Sequence, residues 1–233
     1  MTRSNVAEDM ASAIAPVEHE TLNDRVYRQL TDSIMAGAFR PGQELTLRSV
    51  AEALGTSFMP VRDALRRLVT ERALEVLPSR KIAIPVLTTD QFLELRRIRI
   101  LLEGEAAALA AENISRRQVT NLRSILKKLR GLDEARRAEF WALNHKLHFA
   151  IYAAAESPLL FSIIESLWLQ IGPLMTRIPA SRALKASADP HDVMVQALED
   201  HDPARARTAL VSDLTDSNDA MMKELARQKA IRE

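Results

Sequence analysis

From Thr88 to its C-terminus the chain carries almost no strand signal, and this limits its possible folds more than any other feature. Segments near 89–112, 116–131, 135–155, 158–178, 190–200 and 203–228 place apolar residues at helical spacing with few breakers between them. Interruptions are expected at Asn113-Ile114-Ser115, at Glu156-Ser157-Pro158, from Pro179 to Pro190, and at Asp202-Pro203. Residues 88–228 are therefore expected to form an all-α helical bundle, since amphipathic helices bury their apolar faces against one another.

The preceding segment, 21–87, is organised differently. Leu22, Val26, Leu30, Ile34 and Met35 recur at helical spacing, so Leu22 to about Ala36 reads as an amphipathic helix ending before Gly37. Arg40-Pro41-Gly42 makes a turn, and Thr46 is placed to cap a helix from Leu47 to about Leu54. Ser57 caps a third helix, with Pro60 tolerated in its first turn and Val61, Ala64, Leu65 and Leu68 on its inward face. Leu74 to Leu77 and Ile82 to Val86 are short, rich in branched residues and separated by Pro78-Ser79-Arg80-Lys81, which predicts a β-hairpin. Helix, helix, short turn, helix, hairpin is the order of a winged helix-turn-helix. The expected fold is thus mainly α, with the domain boundary near Pro85 to Thr89 and residues 1–20 as a flexible tail.

In a helix-turn-helix the third helix enters the major groove N-terminal end first. Phe58, Arg62 and Arg66 are spaced i, i+4, i+8 on the face opposite Val61 and Leu68, where arginines can fork onto guanine edges or phosphates. Arg48 is placed to reach a flanking phosphate or base, while Arg80 and Lys81 stand at the hairpin tip. Net charge is only +1, so the local basic excess around Ser57 to Ile82 carries this reading rather than bulk electrostatics. A solvated helix face is the plainer alternative for these arginines. With 47% hydrophobic and 27% charged residues the chain has the composition of an ordinary globular protein. Its contiguous apolar runs, such as Ala106 to Ala111, are too short for a bilayer, and the cytoplasm is the expected location, with no membrane partner. It has no cysteine, which excludes disulfides and thiolate metal sites. Its six glycines form no phosphate-binding or nucleophile-elbow motif, and the chain is read as a non-enzyme.

Asn144 and His148 lie i, i+4 on one predicted helix, His191 opens a later helix, and Asp213 lies within the last. Such a set is chemically adequate for Zn, Ni or a similar divalent ion, while on spacing alone a structural or surface role is the plainer reading. His145, about 100° round the helix from Asn144, reads as surface or packing. His201 reads as part of a solvated acidic turn. Arg99 and Glu103 form an i, i+4 pair that is either a surface ion pair or, given its Ala- and Leu-rich surroundings, partly buried.

The run Arg48 to Leu68, and within it Pro60-Val61-Arg62-Asp63-Ala64-Leu65, resembles the GntR family of regulators, as does the wing Leu77-Pro78-Ser79-Arg80. The region from Thr88 to Met222 is similar to the helical FCD sensor domain of that family's FadR-type branch. The resemblance is carried by Arg99-Ile100-Leu101-Leu102-Glu103, by Asn144-His145-Lys146-Leu147-His148, and by His191 with Met194, Ala197 and Asp202. It implies a homodimeric transcription regulator, usually a repressor, that binds double-stranded operator DNA and senses a small organic acid. It implies DNA contacts from Arg48, Ser57, Phe58, Arg62, Arg66 and Arg80, with Phe58 where the family usually has an arginine. It also implies a divalent metal, Zn or Ni, held by Asn144, His148, His191 and Asp213, with Asp213 replacing the family's last histidine. Arg99 would hold the effector carboxylate by its guanidinium fork. A metal-free regulator responding to acyl-CoA and a helical metalloenzyme are the alternative readings.

Overall fold

The computed structural model describes residues 21–175, 177–178 and 180–232, with side chains described except at 180–189 and 224–232. The expected tail at 1–20, including His19, lies outside the described residues. The order is α1 (Leu22–Met35), β1 (Glu44–Leu45), α2 (Leu47–Leu54), α3 (Phe58–Thr70), β2 (Glu75–Val76), β3 (Ile82–Ala83), α4 (Thr89–Asn113), α5 (Arg116–Arg130), a 3-10 turn (Glu134–Arg136), α6 (Arg137–Ala154), α7 (Pro158–Met175), α8 (Ala180–Glu199) and α9 (Pro203–Arg232).

Capping fixes where several helices begin. Thr21 with Asp24, Thr46 with Ser49, Thr88 with Gln91 and Ser115 with Gln118 each form a capping box, satisfying backbone N–H groups the first turn leaves free. Gly55 closes α2 in the left-handed conformation at φ 60°, which makes the turn into α3 tight. Val26, Leu30 and Ile34 of α1 meet Val61, Leu65 and Leu68 of α3 in the core of the first domain. The wing is smaller than the sequence predicts. Its ladder covers only Glu75–Val76 and Ile82–Ala83, and a third strand, β1, pairs antiparallel with β3, giving the order β1-β3-β2. Beyond Ala83 the chain bonds to the loop before β1 instead: Ile84 donates to Gln43 at 3.0 Å and Gly42 donates to Ile84 at 2.8 Å. Pro85 then has no N–H to continue the ladder.

In the second domain α4 and α9 run antiparallel as its longest pair, tied at their flanks by Arg96 to Asp219 and Arg207 to Glu105. Ala106, Ala107, Ala110 and Ala111 are all buried on α4, so neighbours approach it from several sides. Helix α8 corrects the sequence reading: it runs from Ala180 through Pro190 to Glu199, where a break from Pro179 to Pro190 is expected. Proline lacks a donor and crowds the preceding turn, but Ala180, Ala183, Ala186 and Ala188 are strong helix formers on its N-terminal side. Helix α7 is also more apolar than expected. It is long and apolar enough to cross a bilayer by composition alone, yet half of it is buried inside the protein.

The two domains meet where α7 presses on α1. A Cβ added at Gly172 would lie 2.6 Å from the Ile34 carbonyl oxygen and 2.7 Å from Met35 Cα. Only glycine lets these two backbones touch.

Candidate DNA-contacting surface and metal centre

Helix α3 buries Pro60, Val61, Ala64, Leu65 and Leu68 and turns its other face to solvent. That face carries Ser57, Phe58, Met59, Arg62 and Arg66, all exposed. Ser57 occupies the N-cap position without its side chain making a cap hydrogen bond, unlike the expectation, so its hydroxyl is not committed to the helix. Phe58 is 52% exposed and Met59 60%, an apolar pair at the helix N-terminus that no core contact explains. The sequence reading missed Met59. Arg67, by contrast, lies back over the Tyr27 ring at 3.6 Å and bonds Glu71 at 2.9 Å, so it belongs to the domain's packing. Arg48 holds Glu52 at 2.8 Å in an exposed i, i+4 pair. At the wing tip Lys81 is bonded to Glu44 at 2.8 Å, while Arg80 stands exposed in a left-handed turn at φ 61°.

Three elements of the second domain bring His148 (α6), His191 (α8) and Asp213 (α9) together. Their ligand atoms all lie within 4.8 Å of one another, and all three residues are buried. His148 Nε2 is 3.4 Å from Asp213 Oδ2, and His191 Nε2 is 3.2 Å from Asp213 Oδ1. At that distance His191 Nε2 and Asp213 Oδ1 still lack hydrogen-bond geometry, and both are left without a partner. Asn144, 7% exposed, lines the same pocket one helical turn before His148.

The sequence reading missed the groups that orient these side chains. Tyr152 donates its hydroxyl proton to Glu103 and stands 3.1 Å from His148 Nδ1. One hydroxyl has one proton, so the network assigns the Nδ1 proton to His148 as donor and leaves its Nε2 lone pair facing Asp213. Burial, with Glu103 beside it, pushes the Tyr152 hydroxyl well above its usual range, so it stays protonated. Burial pushes His148 down to about 3, and His191, Arg99 and His145 act in the same direction against Asp213. Burial alone would raise the Asp213 carboxyl, but His191, followed by His148 and Arg99, holds it below the usual range. An ionised carboxylate thus faces a neutral imidazole lone pair, with no proton between them. That arrangement is poor for a closed polar core and fits a divalent cation, which takes lone pairs from Asn, His and Asp alike.

Arg99 is fully buried, and so is Glu103. Nε donates to Oε1 at 2.6 Å and Nη2 to Oε2 at 3.3 Å, so the guanidinium fork expected to take a ligand is already occupied. Only Nη1 is left without a partner. The pocket beside it is lined by Trp141, Trp168, Ser217 and Met221 among others, and the cavity itself is about 10 Å³. Trp141 is Asn144 minus three and Tyr152 is His148 plus four, so the helical repeat places all four on one face. That spacing was legible in the sequence. Trp168, from α7, was not.

The remaining histidines divide as follows. His145 is packed between Phe149 and Trp168, at ring-centroid distances of 4.2 and 5.6 Å. His201 is exposed but not free: in a left-handed turn at φ 50°, its Nδ1 sits 2.7 Å from the Ala111 carbonyl oxygen, joining the α8–α9 corner to α4.

Comparison with known proteins agrees with both domains. The model of "Bacterial regulatory proteins, gntR family" matches residues 22–84, and that of "FCD domain" matches residues 94–216. The HTH-type transcriptional regulator McbR of Escherichia coli (strain K12) is 37% identical over 158 residues, covering 67% of this chain and 72% of McbR. The probable D-xylose utilization operon transcriptional repressor of Paenarthrobacter nicotinovorans is 28% identical over 191 residues, 82% of this chain and 84% of that protein. Among solved structures, E. coli McbR/YncC superposes with a TM-score of 0.76 at 29% identity, covering 92% of this chain and 100% of that one.

Proposed function

The chain belongs to the GntR family of bacterial transcription regulators and carries that family's FCD domain, and from this we infer that it binds a specific operator through α3 under control of a small carboxylic acid sensed in a metal-bearing site. The observation that carries the second half is the buried cluster of His148, His191 and Asp213, with His191 Nε2 and Asp213 Oδ1 left unpartnered.

On DNA, Arg62 and Arg66 reach guanine edges or phosphates from the exposed face of α3, and Phe58 packs on a thymine methyl. Ser57 adds a hydroxyl at the N-terminus of that helix. Arg48 gives up its exposed pair with Glu52 at little cost to meet a flanking phosphate. Arg80 meets the backbone or minor groove from the wing. Two copies acting as a homodimer would address two half-sites of a near-palindromic operator. Repression is the sense we assign, following the sense named for the Paenarthrobacter relative. The protein would act in the cytoplasm as a non-enzyme, away from any membrane.

In the helical domain Asn144, His148, His191 and Asp213 would hold a divalent ion, Zn or Ni. The ion would supply positive charge and an open position for an acid's carboxylate, with Arg99 Nη1 donating to the same head group. Trp168 at the pocket and Gly172 against α1 sit one turn apart on α7, so a change in the pocket bears on the DNA-binding domain through one rigid element.

The test is operator affinity. With an operator obtained by selection from random duplexes, Arg62→Ala should cost about 1–3 kcal/mol in a fluorescence titration if it reads a base. Loss of Arg62 and Arg66 together should also lower the salt slope by about one for each phosphate contact removed. Unchanged affinity in both variants would remove α3 as the reading helix.

A further inference from the structure

Resting on the metal reading of Asn144, His148, His191 and Asp213, we propose that the effector is a monocarboxylic acid with an apolar tail, and that the site rejects dicarboxylates of equal length. The first ground is charge. Arg99 and Glu103 are both fully buried and cancel each other as a bidentate pair. Asp213 contributes one negative charge, the histidine ligands are neutral, and a divalent ion contributes two positive charges. The buried site therefore carries one net positive charge. One carboxylate neutralises it. A second would enter a region where, among the described lining residues, Arg99 is the one arginine or lysine and is already matched. An uncompensated charge in such surroundings is strongly disfavoured.

The second ground is the distribution of unmet hydrogen-bonding groups. Arg99 Nη1 and the indole N–H groups of Trp141 and Trp168 are buried without partners, and all three residues line this pocket. All are donors, and a carboxylate head is acceptor-only with lone pairs to receive several of them. The other described apolar residues of the wall are Met175, Leu214 and Met221, with the Ser217 hydroxyl beside them. Among the described residues the wall offers a second carboxylate one neutral donor and no charge, and little to the hydroxyls of a sugar acid. The cavity of about 10 Å³ has room for about one water at most. A tail must therefore displace Met175 and Met221, whose unbranched chains have three rotatable bonds and repack readily. Asp213 is the specificity-determining residue: with a neutral side chain there, the same count leaves two positive charges, and a dianion becomes the better match.

The experiment compares acids of equal chain length on zinc-loaded protein by isothermal titration calorimetry: butyrate against succinate and hexanoate against adipate. The monocarboxylate should bind at least about tenfold more tightly in each pair. Asp213→Asn, which keeps an oxygen donor but removes the charge, should narrow or reverse the ratio. Zinc uptake is read separately, from the melting temperature of each protein. Succinate binding as tightly as butyrate to the zinc-loaded wild type overturns the proposal while leaving the metal site standing. Zinc uptake with no acid bound removes the effector reading and this specificity with it. No zinc uptake at all removes the metal reading on which both rest.

Discussion

The hydroxyl of Tyr152 lies between Glu103 and His148 Nδ1, and that one group determines which lone pair His148 offers to Asp213. If His148, His191 and Asp213 share an ion, zinc should raise the melting temperature of the wild type, because a ligand bound only by the folded state stabilises it. His148→Ala and His191→Ala should each abolish that rise. His145→Ala and His201→Ala should retain it, since one packs against Phe149 and Trp168 and the other bonds Ala111. Differential scanning fluorimetry with and without chelator checks all four, and a rise that survives in His148→Ala would remove the site. His145 makes a separate prediction about pH. Burial lowers it from 6.5 to about 4. The unfolded chain then binds a proton that the folded chain does not, so stability rises with pH across that window. The stabilisation is complete above about pH 6.5 and is lost as pH falls toward 4. His145→Phe keeps the ring stack without the titration, and its melting temperature should fall less steeply over that interval.

At the level of elements, the junction of α7 with α1 has no room for a side chain at Gly172. Gly172→Ala places a methyl 2.6 Å from the Ile34 carbonyl oxygen and 2.7 Å from Met35 Cα, and backbone must move. Overpacking of this kind costs about 1–3 kcal/mol. The variant should melt lower, and its operator affinity should change as well, because α1 packs on α3, the helix proposed to read the operator. A lower melting temperature with unaltered DNA binding would show that this junction holds the domains together without orienting the reading helix.

For the whole molecule, a dimer on a two-fold operator makes half-site spacing a geometric quantity. Inserting about five base pairs between half-sites, half a helical turn, would put the second site on the opposite face of the duplex. Affinity should drop toward that of a single half-site, and about ten inserted base pairs should recover part of it. Equal affinity for all three spacings in a gel titration would mean that each copy binds alone.

The sequence by itself determined most of the helices and the winged order, because these follow from short-range rules: periodicity, caps at Thr21, Thr46, Thr88 and Ser115, and Gly55 at a helix end. Strand β1 escaped it, since two residues carry no period, and so did the course of α8, where alanines outweigh Pro190. Of the polar cluster, spacing could put Asn144 and His148 on one face, while the family resemblance singled out His191 and Asp213. Only the packing of α6, α8 and α9 decides that ligand atoms from three helices lie within 4.8 Å of one another. The same holds for Arg99. Its i, i+4 partner is visible in the sequence, but total burial, the occupied fork and the single unpartnered Nη1 arise from neighbours distant in the chain. Desolvation and unmet hydrogen bonds are properties of a site's whole surroundings, and those surroundings exist only once the helices have packed.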